Sequence, residues 1–143
     1  MPAHNNLVSW AGSADSIKNI ISNTTLNYAV QEGAVMYKHE QFYYVFFSVG
    51  QCCRTQRDLV PPGDEYHIVV CRANGITGPY VDANNTNCLT NNGGTTILAS
   101  HGDVYAPGGQ GIMRDPKSER EVMYYHYGKC SACFEKDEVG KEG

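Results

Sequence analysis

The sequence has no clustered positive charge, no long apolar run and very little helical periodicity, and each absence removes a class of function. Its 11 Lys and Arg are scattered through 143 residues and outnumbered by 15 Asp and Glu, for a formal net charge of -4. That pattern offers no electrostatic footprint for nucleic acid or an anionic membrane, so a neutral polymer is the better partner. The longest largely apolar run, Tyr43 to Val49, falls far short of the roughly 20 residues a membrane-spanning helix needs. Met1 to Trp10 carries neither a cationic segment nor an apolar stretch, so no secretory signal is visible, and either the product stays inside the cell or a preceding segment is missing. In residues 14–23 only Ile17, Ile20 and Ile21 recur at helical spacing, among Ser, Asp and Asn. A loop with at most one helical turn is expected there.

What is present reads as strands. Residues 35–37, 42–48 and 66–71 are rich in β-branched and aromatic side chains, and 95–98, 111–114 and 121–127 repeat the type. Gly93-Gly94, Pro107-Gly108-Gly109 and Asp115-Pro116 punctuate them. A weak internal repeat stands out, because Val35-Met36 followed by Tyr44-Val45-Phe46-Phe47 is echoed by Ile112-Met113 followed by Val122-Met123-Tyr124-Tyr125. Paired units of this kind, each with a long loop before its first strand, suit propeller blades. A β-sandwich shares the strand types and the loops, and pattern alone leaves the two level.

Few residues look chemical. Glu32, in Gln31-Glu32-Gly33-Ala34 just before the first strand, is well placed for a catalytic acid at a loop mouth. Such an acid stays neutral only with partial burial or a neighbouring negative charge, and Val30, Ala34 and Val35 are compatible with that. Read alone, Glu32 is a solvated loop carboxylate, the usual fate of Glu. The Gly-rich stretch at residues 100–111 permits close backbone approach to a ligand, yet no helix and no Lys-Ser or Lys-Thr follows, so it is no phosphate cradle. His101 and Asp103 within it read as a structural hydrogen-bonding pair.

Six cysteines, an even number, suit an oxidising compartment. Cys71 and Cys88 bracket a strand and a loop and could pair. Adjacent Cys52 and Cys53 leave open one free thiol or a bond between the two. Cys130-Ser131-Ala132-Cys133 is half of a zinc motif with no second half downstream. Asn23-Thr24-Thr25 and Asn84-Asn85-Thr86 fit the glycosylation pattern. Tyr43, Tyr44, Phe46, Phe47, Tyr124, Tyr125 and Tyr127 are expected mostly in the core.

Taken in order, Gln31-Glu32-Gly33-Ala34, Tyr43-Tyr44-Val45-Phe46-Phe47-Ser48, Cys52-Cys53, Ile76-Thr77-Gly78-Pro79-Tyr80-Val81-Asp82 and residues 100–111 resemble glycoside hydrolase family 43, its fungal endo-1,5-alpha-L-arabinanases in particular. The resemblance runs over residues 14–127. It implies an all-β chain, a fragment covering about the third and fourth blades of a five-bladed β-propeller. It further implies hydrolysis of internal alpha-1,5 linkages of arabinan with inversion, with arabinan or arabino-oligosaccharide as partner and neither nucleic acid nor membrane. A secreted protein, monomeric when complete, belongs to the same expectation.

Within that family three acids converge as base, pKa modulator and proton donor, and the donor's motif is matched at Glu32. The other two lie upstream of the donor, where only Asp15 precedes Glu32 in this sequence. A fragment that is incomplete and inactive alone is therefore expected. A non-catalytic carbohydrate-binding remnant and a product that never folds are the alternatives. No cofactor is certain, since the His that binds a central metal in some relatives is Gly109 here. Residues 1–13 remain unassigned, residues 14–127 form the partial propeller, and residues 128–143 are a Lys/Glu-rich tail in place of the next blade.

Overall fold

Six strands make up the regular structure of the computed structural model, which describes residues 17–23, 31–52, 59–61 and 63–129. Asp15, Thr24, Thr25, Val30, Cys53, Cys130, Cys133 and the tail beyond Lys129 lie outside the described residues. The strands are β1 (Gln31–His39), β2 (Phe42–Val49), β3 (His67–Ala73), β4 (Thr95–Leu98), β5 (Val104–Arg114) and β6 (Glu121–Lys129). Residues 17–23 form no helical turn. The polar residues between the isoleucines leave too narrow an apolar stripe; Ile21 is buried at 9% exposure with Ile20 packed against the same cluster, and Ile17 is exposed.

Strands β1 to β4 form one antiparallel sheet in sequence order, and β5 pairs with β6 in a second. A Greek-key sandwich sets non-consecutive strands side by side. Among the described strands every neighbour is consecutive, which is how a propeller blade is wound. The internal repeat is real in three dimensions. Val35 and Met36 face Phe46 and Val45 across the first hairpin, while Ile112 and Met113 face Met123 and Val122 across the last.

Period-two alternation explains how the central strands β2 and β3 bury side chains on both faces of the first sheet. Val45, Phe47 and Val49 on β2 join Val69, Cys71 and Ala73 on β3, packed with Tyr80, Cys88 and Ile21. Ser48 and its cross-strand neighbour Ile68 point the other way and are fully buried at 0% exposure, on the side where β5 lies against β1, β2 and β3. Aromatics on β6 do not follow the expectation of a core role: Tyr124 and Tyr127 are 61% and 50% exposed. Strand β6 has β5 on one side, and no other described strand pairs with it.

Two boundaries differ from the sequence reading. Strand β1 begins at Gln31, so Glu32 lies in the strand and not ahead of it. Strand β5 begins at Val104 and runs through Ala106-Pro107-Gly108-Gly109-Gln110, which reads as a loop. The glycines make this possible, because the pairing slips between Tyr105 and Gly108 and again between Gly108 and Gly111.

Cys71 and Cys88 form a disulfide across 17 residues. Cys52 is disulfide-bonded too, which removes the reading of it as a free thiol. A Cys71→Ala/Cys88→Ala double variant is expected to lose about 2 to 3 kcal/mol of stability, through the freer unfolded loop and the cavity left among Phe47, Val69 and Tyr80. Urea unfolding of the two proteins measures it.

Candidate active site

Glu32 and Gly33 begin a bulge in β1, where the register against β2 shifts between Glu32 and Val35. Gly33 takes a positive φ of 63°, which an L side chain adopts only with strain. The bulge re-aims Glu32 from the regular alternation. Its main chain is tied down from the second sheet: Gln110 Nε2 donates to the Gly33 carbonyl at 2.7 Å. Gln110 Oε1 accepts from the Ser48 hydroxyl at 2.7 Å, and Ser48 Oγ accepts from the Gly109 amide at 3.1 Å. Gln110 and Ser48 are buried, at 4% and 0% exposure, so these bonds satisfy polar groups that would otherwise each cost about 1 to 3 kcal/mol.

Among the described residues, the carboxyl is held by a phenol. Tyr66, immediately before β3, donates its hydroxyl to Glu32 Oε1 at 2.9 Å. The Tyr66 ring is 2% exposed and its amide donates to the Gln51 carbonyl at 3.0 Å. Burial chiefly pushes the Tyr66 phenol above its ordinary value; the neighbouring Ser48 hydroxyl pulls it down, and the bond to Glu32 with its charge pushes it up again. Tyr66 is therefore a donor throughout the neutral range. Because its folded value exceeds the unfolded one near 10, Tyr66 contributes stability that is complete below about pH 10 and lost as pH rises through the folded value.

The glycines of β5 are spaces for rings. A Cβ added at Gly108 would collide with the Tyr66 ring, one at Gly109 with the His126 imidazole, and one at Gly111 with the Tyr124 ring. His126, opposite Gly108 in the β5–β6 ladder, also stacks on Tyr66 with centroids 6.3 Å apart and planes at 22°.

Of the residues singled out from sequence, the structure brings Glu32 and the Gly108–Gly109 segment together. It leaves His101 and Asp103 exposed on the surface. His101 Nδ1 meets the Ala99 carbonyl at 2.9 Å, so its structural role is kept with a different partner from Asp103. Glu32 is itself exposed, as is Ala34, so the partial burial expected around the acid is not found among the described residues of β1, and the Tyr66 hydroxyl is its defining neighbour instead. Tyr66, Ser48, Gln110 and His126 were not foreseen. A lone amide set among glycines, as Gln110 is, was the available signal.

A metal held through position 109 does not fit. The His126 ring fills the space that a side chain there would need, and no group of three His, Cys, Asp or Glu among the described residues could hold an ion.

The model of the glycosyl hydrolases family 43 matches residues 7–140. The chain belongs to glycosyl hydrolase family 43. Among curated family 43 relatives, the chain is 51% identical over 114 residues to a protein of Aspergillus fumigatus named probable arabinan endo-1,5-alpha-L-arabinosidase A, covering 80% of this chain and 35% of that one. It is 47% identical over 117 residues to arabinan endo-1,5-alpha-L-arabinosidase A of Aspergillus aculeatus, covering 82% and 35%. The chain thus spans about a third of the length of the curated relatives it matches. Among solved structures, it superposes on the Cellvibrio cellulosa alpha-L-arabinanase complexed with arabinohexaose with a TM-score of 0.60 at 23% identity, over 72% of this chain and 30% of that one. The all-β fold is the one these arabinanases share.

Proposed function

We propose that this family 43 chain carries the proton-donor portion of an enzyme that hydrolyses internal alpha-1,5-L-arabinofuranosidic linkages of arabinan with inversion. Glu32 is the donor. The observation that carries this reading is the Glu32 carboxyl held at one oxygen by a buried phenol, on a bulge tied to the neighbouring sheet. The names of the relatives at about 50% identity supply the substrate class.

In an inverting mechanism the acid gives its proton to the departing glycosidic oxygen, which takes the electron pair of the breaking C–O bond. Water adds its hydroxyl to the anomeric carbon from the opposite face and loses its other proton to a second carboxylate, roughly 6.5 to 9.5 Å from the first. Among the described residues no second carboxylate joins the Tyr66–Ser48–Gln110 network. The base is assigned to the remaining length of the full enzyme, in which this chain supplies about the third and fourth of five blades. The complete protein is secreted and acts as a monomer.

The chain alone is expected to release no reducing sugar from debranched arabinan. A chimera in which residues 31–129 replace the matched segment of the Aspergillus fumigatus relative is expected to release it. Turnover by the chain alone that survives Glu32→Gln, or a folded chimera with no activity, sinks the reading.

A further inference from the structure

We infer that Tyr66 is a positioning residue for Glu32 and fixes which carboxyl oxygen delivers the proton. This rests on the reading of Glu32 as donor. The Tyr66 hydroxyl donates to Oε1 at 2.9 Å. An oxygen that already faces a donor hydrogen is the wrong place for the carboxyl's own hydrogen, so in the neutral acid the proton sits on Oε2. Oε2 is the oxygen left to address the leaving group.

Both ends of the Tyr66–Glu32 bond are held. On the Glu32 side, Gln110 grips the Gly33 carbonyl and is itself fixed by Ser48. On the Tyr66 side, the ring lies over Gly108, where no side chain could fit, and against His126. Its amide is bonded to Gln51. The phenol keeps its proton well into the alkaline range, because burial and the Glu32 charge both oppose ionisation.

This arrangement favours the reacting state over the ground state. While Glu32 is neutral, the phenol bonds to a carbonyl-like oxygen. As the Oε2 proton passes to the departing oxygen, negative charge spreads onto Oε1 and the same bond becomes charge-assisted, roughly twice as strong. The gain arrives as the charge develops, which is the condition for an interaction to speed a step and not merely to bind.

The test uses the 143-residue chain and needs no hydrolysis. In wild type, nuclear Overhauser contacts are expected between the Glu32 γ-protons and the Tyr66 ring, and between the rings of Tyr66 and His126. Tyr66→Phe should lose the first set and keep the second, since Phe fills the same volume; a purely packing role keeps both. In Glu32→Gln, the Tyr66 Cζ resonance should titrate at lower pH than in wild type, because a neutral amide replaces the charge. Survival of the Glu32 contacts in Tyr66→Phe, or an unmoved Tyr66 titration in Glu32→Gln, overturns the assignment. Where Tyr66→Phe fails to fold, the titration in Glu32→Gln decides. An inactive chimera with both signatures present would count against the hydrolase reading and leave the positioning intact.

Discussion

Gly108→Ala should destabilise the chain by about 4 kcal/mol, more than an alanine in a strand has any business costing, and should release Glu32 at the same time. Adding a methyl to a well-packed interior typically costs about 1 to 3 kcal/mol, because neighbours are forced off their rotamers. Here the obstacle is the Tyr66 ring, which cannot give way. Its own exposure is 2%, and Tyr105, Ala106 and Cys52 pack in the same cluster. Relief by rotation would break the bond to Glu32, adding about 1 kcal/mol. Urea unfolding gives the total, and the loss of the Glu32–ring contact gives the second component. Gly102→Ala is the control. Gly102, unlike Gly108, has a positive φ, 48°, and an added Cβ there meets nothing within 4 Å. Its cost should be limited to the backbone strain of about 1 kcal/mol. Equal losses in the two variants would mean that the Tyr66–Gly108 contact is not what holds the site.

How far the sequence reveals this arrangement depends on the range of the interaction. Strand identity was legible, because β-branched and aromatic residues at period two are a local signal, and the Val35-Met36 and Ile112-Met113 repeat correctly marked two equivalent hairpins. The Cys71–Cys88 disulfide was legible only as one the sequence allows, since the end of β3 and a loop are all that separate the two. The run from Ala106 to Gln110 was not. Its glycines carry turn propensity, while what keeps it in strand pairing is a set of rings, from β6 and from Tyr66 just ahead of β3, that occupy the space of the missing side chains. No local pattern records such complementarity. Ser48 and Gln110 are 62 residues apart, and Gln110 and Gly33 are 77 apart, so each looks like an isolated polar residue until the sheets are side by side. Glu32 shows the limit most plainly. As a sequence feature it was a loop carboxylate raised to donor by family resemblance, and the structure supplies a partner, Tyr66, from a position that read as ordinary strand.

Glu32→Gln in the chimera should lower kcat on debranched arabinan by about 10² to 10⁴-fold, the usual contribution of a positioned general acid, with a much smaller change in KM. Glutamine preserves the shape and can still accept from Tyr66 through its amide oxygen, so the tether seen in the fold need not be lost. What disappears is the transferable proton. The identity of the lost function can be read from the leaving group. An arabinosyl alkoxide is a poor leaving group and needs that proton, whereas a nitrophenolate departs without one. On an arabino-oligosaccharide with a nitrophenyl aglycone, Glu32→Gln should therefore retain most of its bond-cleaving rate, while a variant of the catalytic base would be slow on both substrates because water activation is common to them. Equal losses on arabinan and on the aryl substrate would assign Glu32 to the base or to general electrostatics and remove it from the donor role. Tyr66→Phe in the same chimera should fall between wild type and Glu32→Gln on arabinan and be nearly silent on the aryl substrate. A residue that acts only through the acid has no influence where the acid is not required.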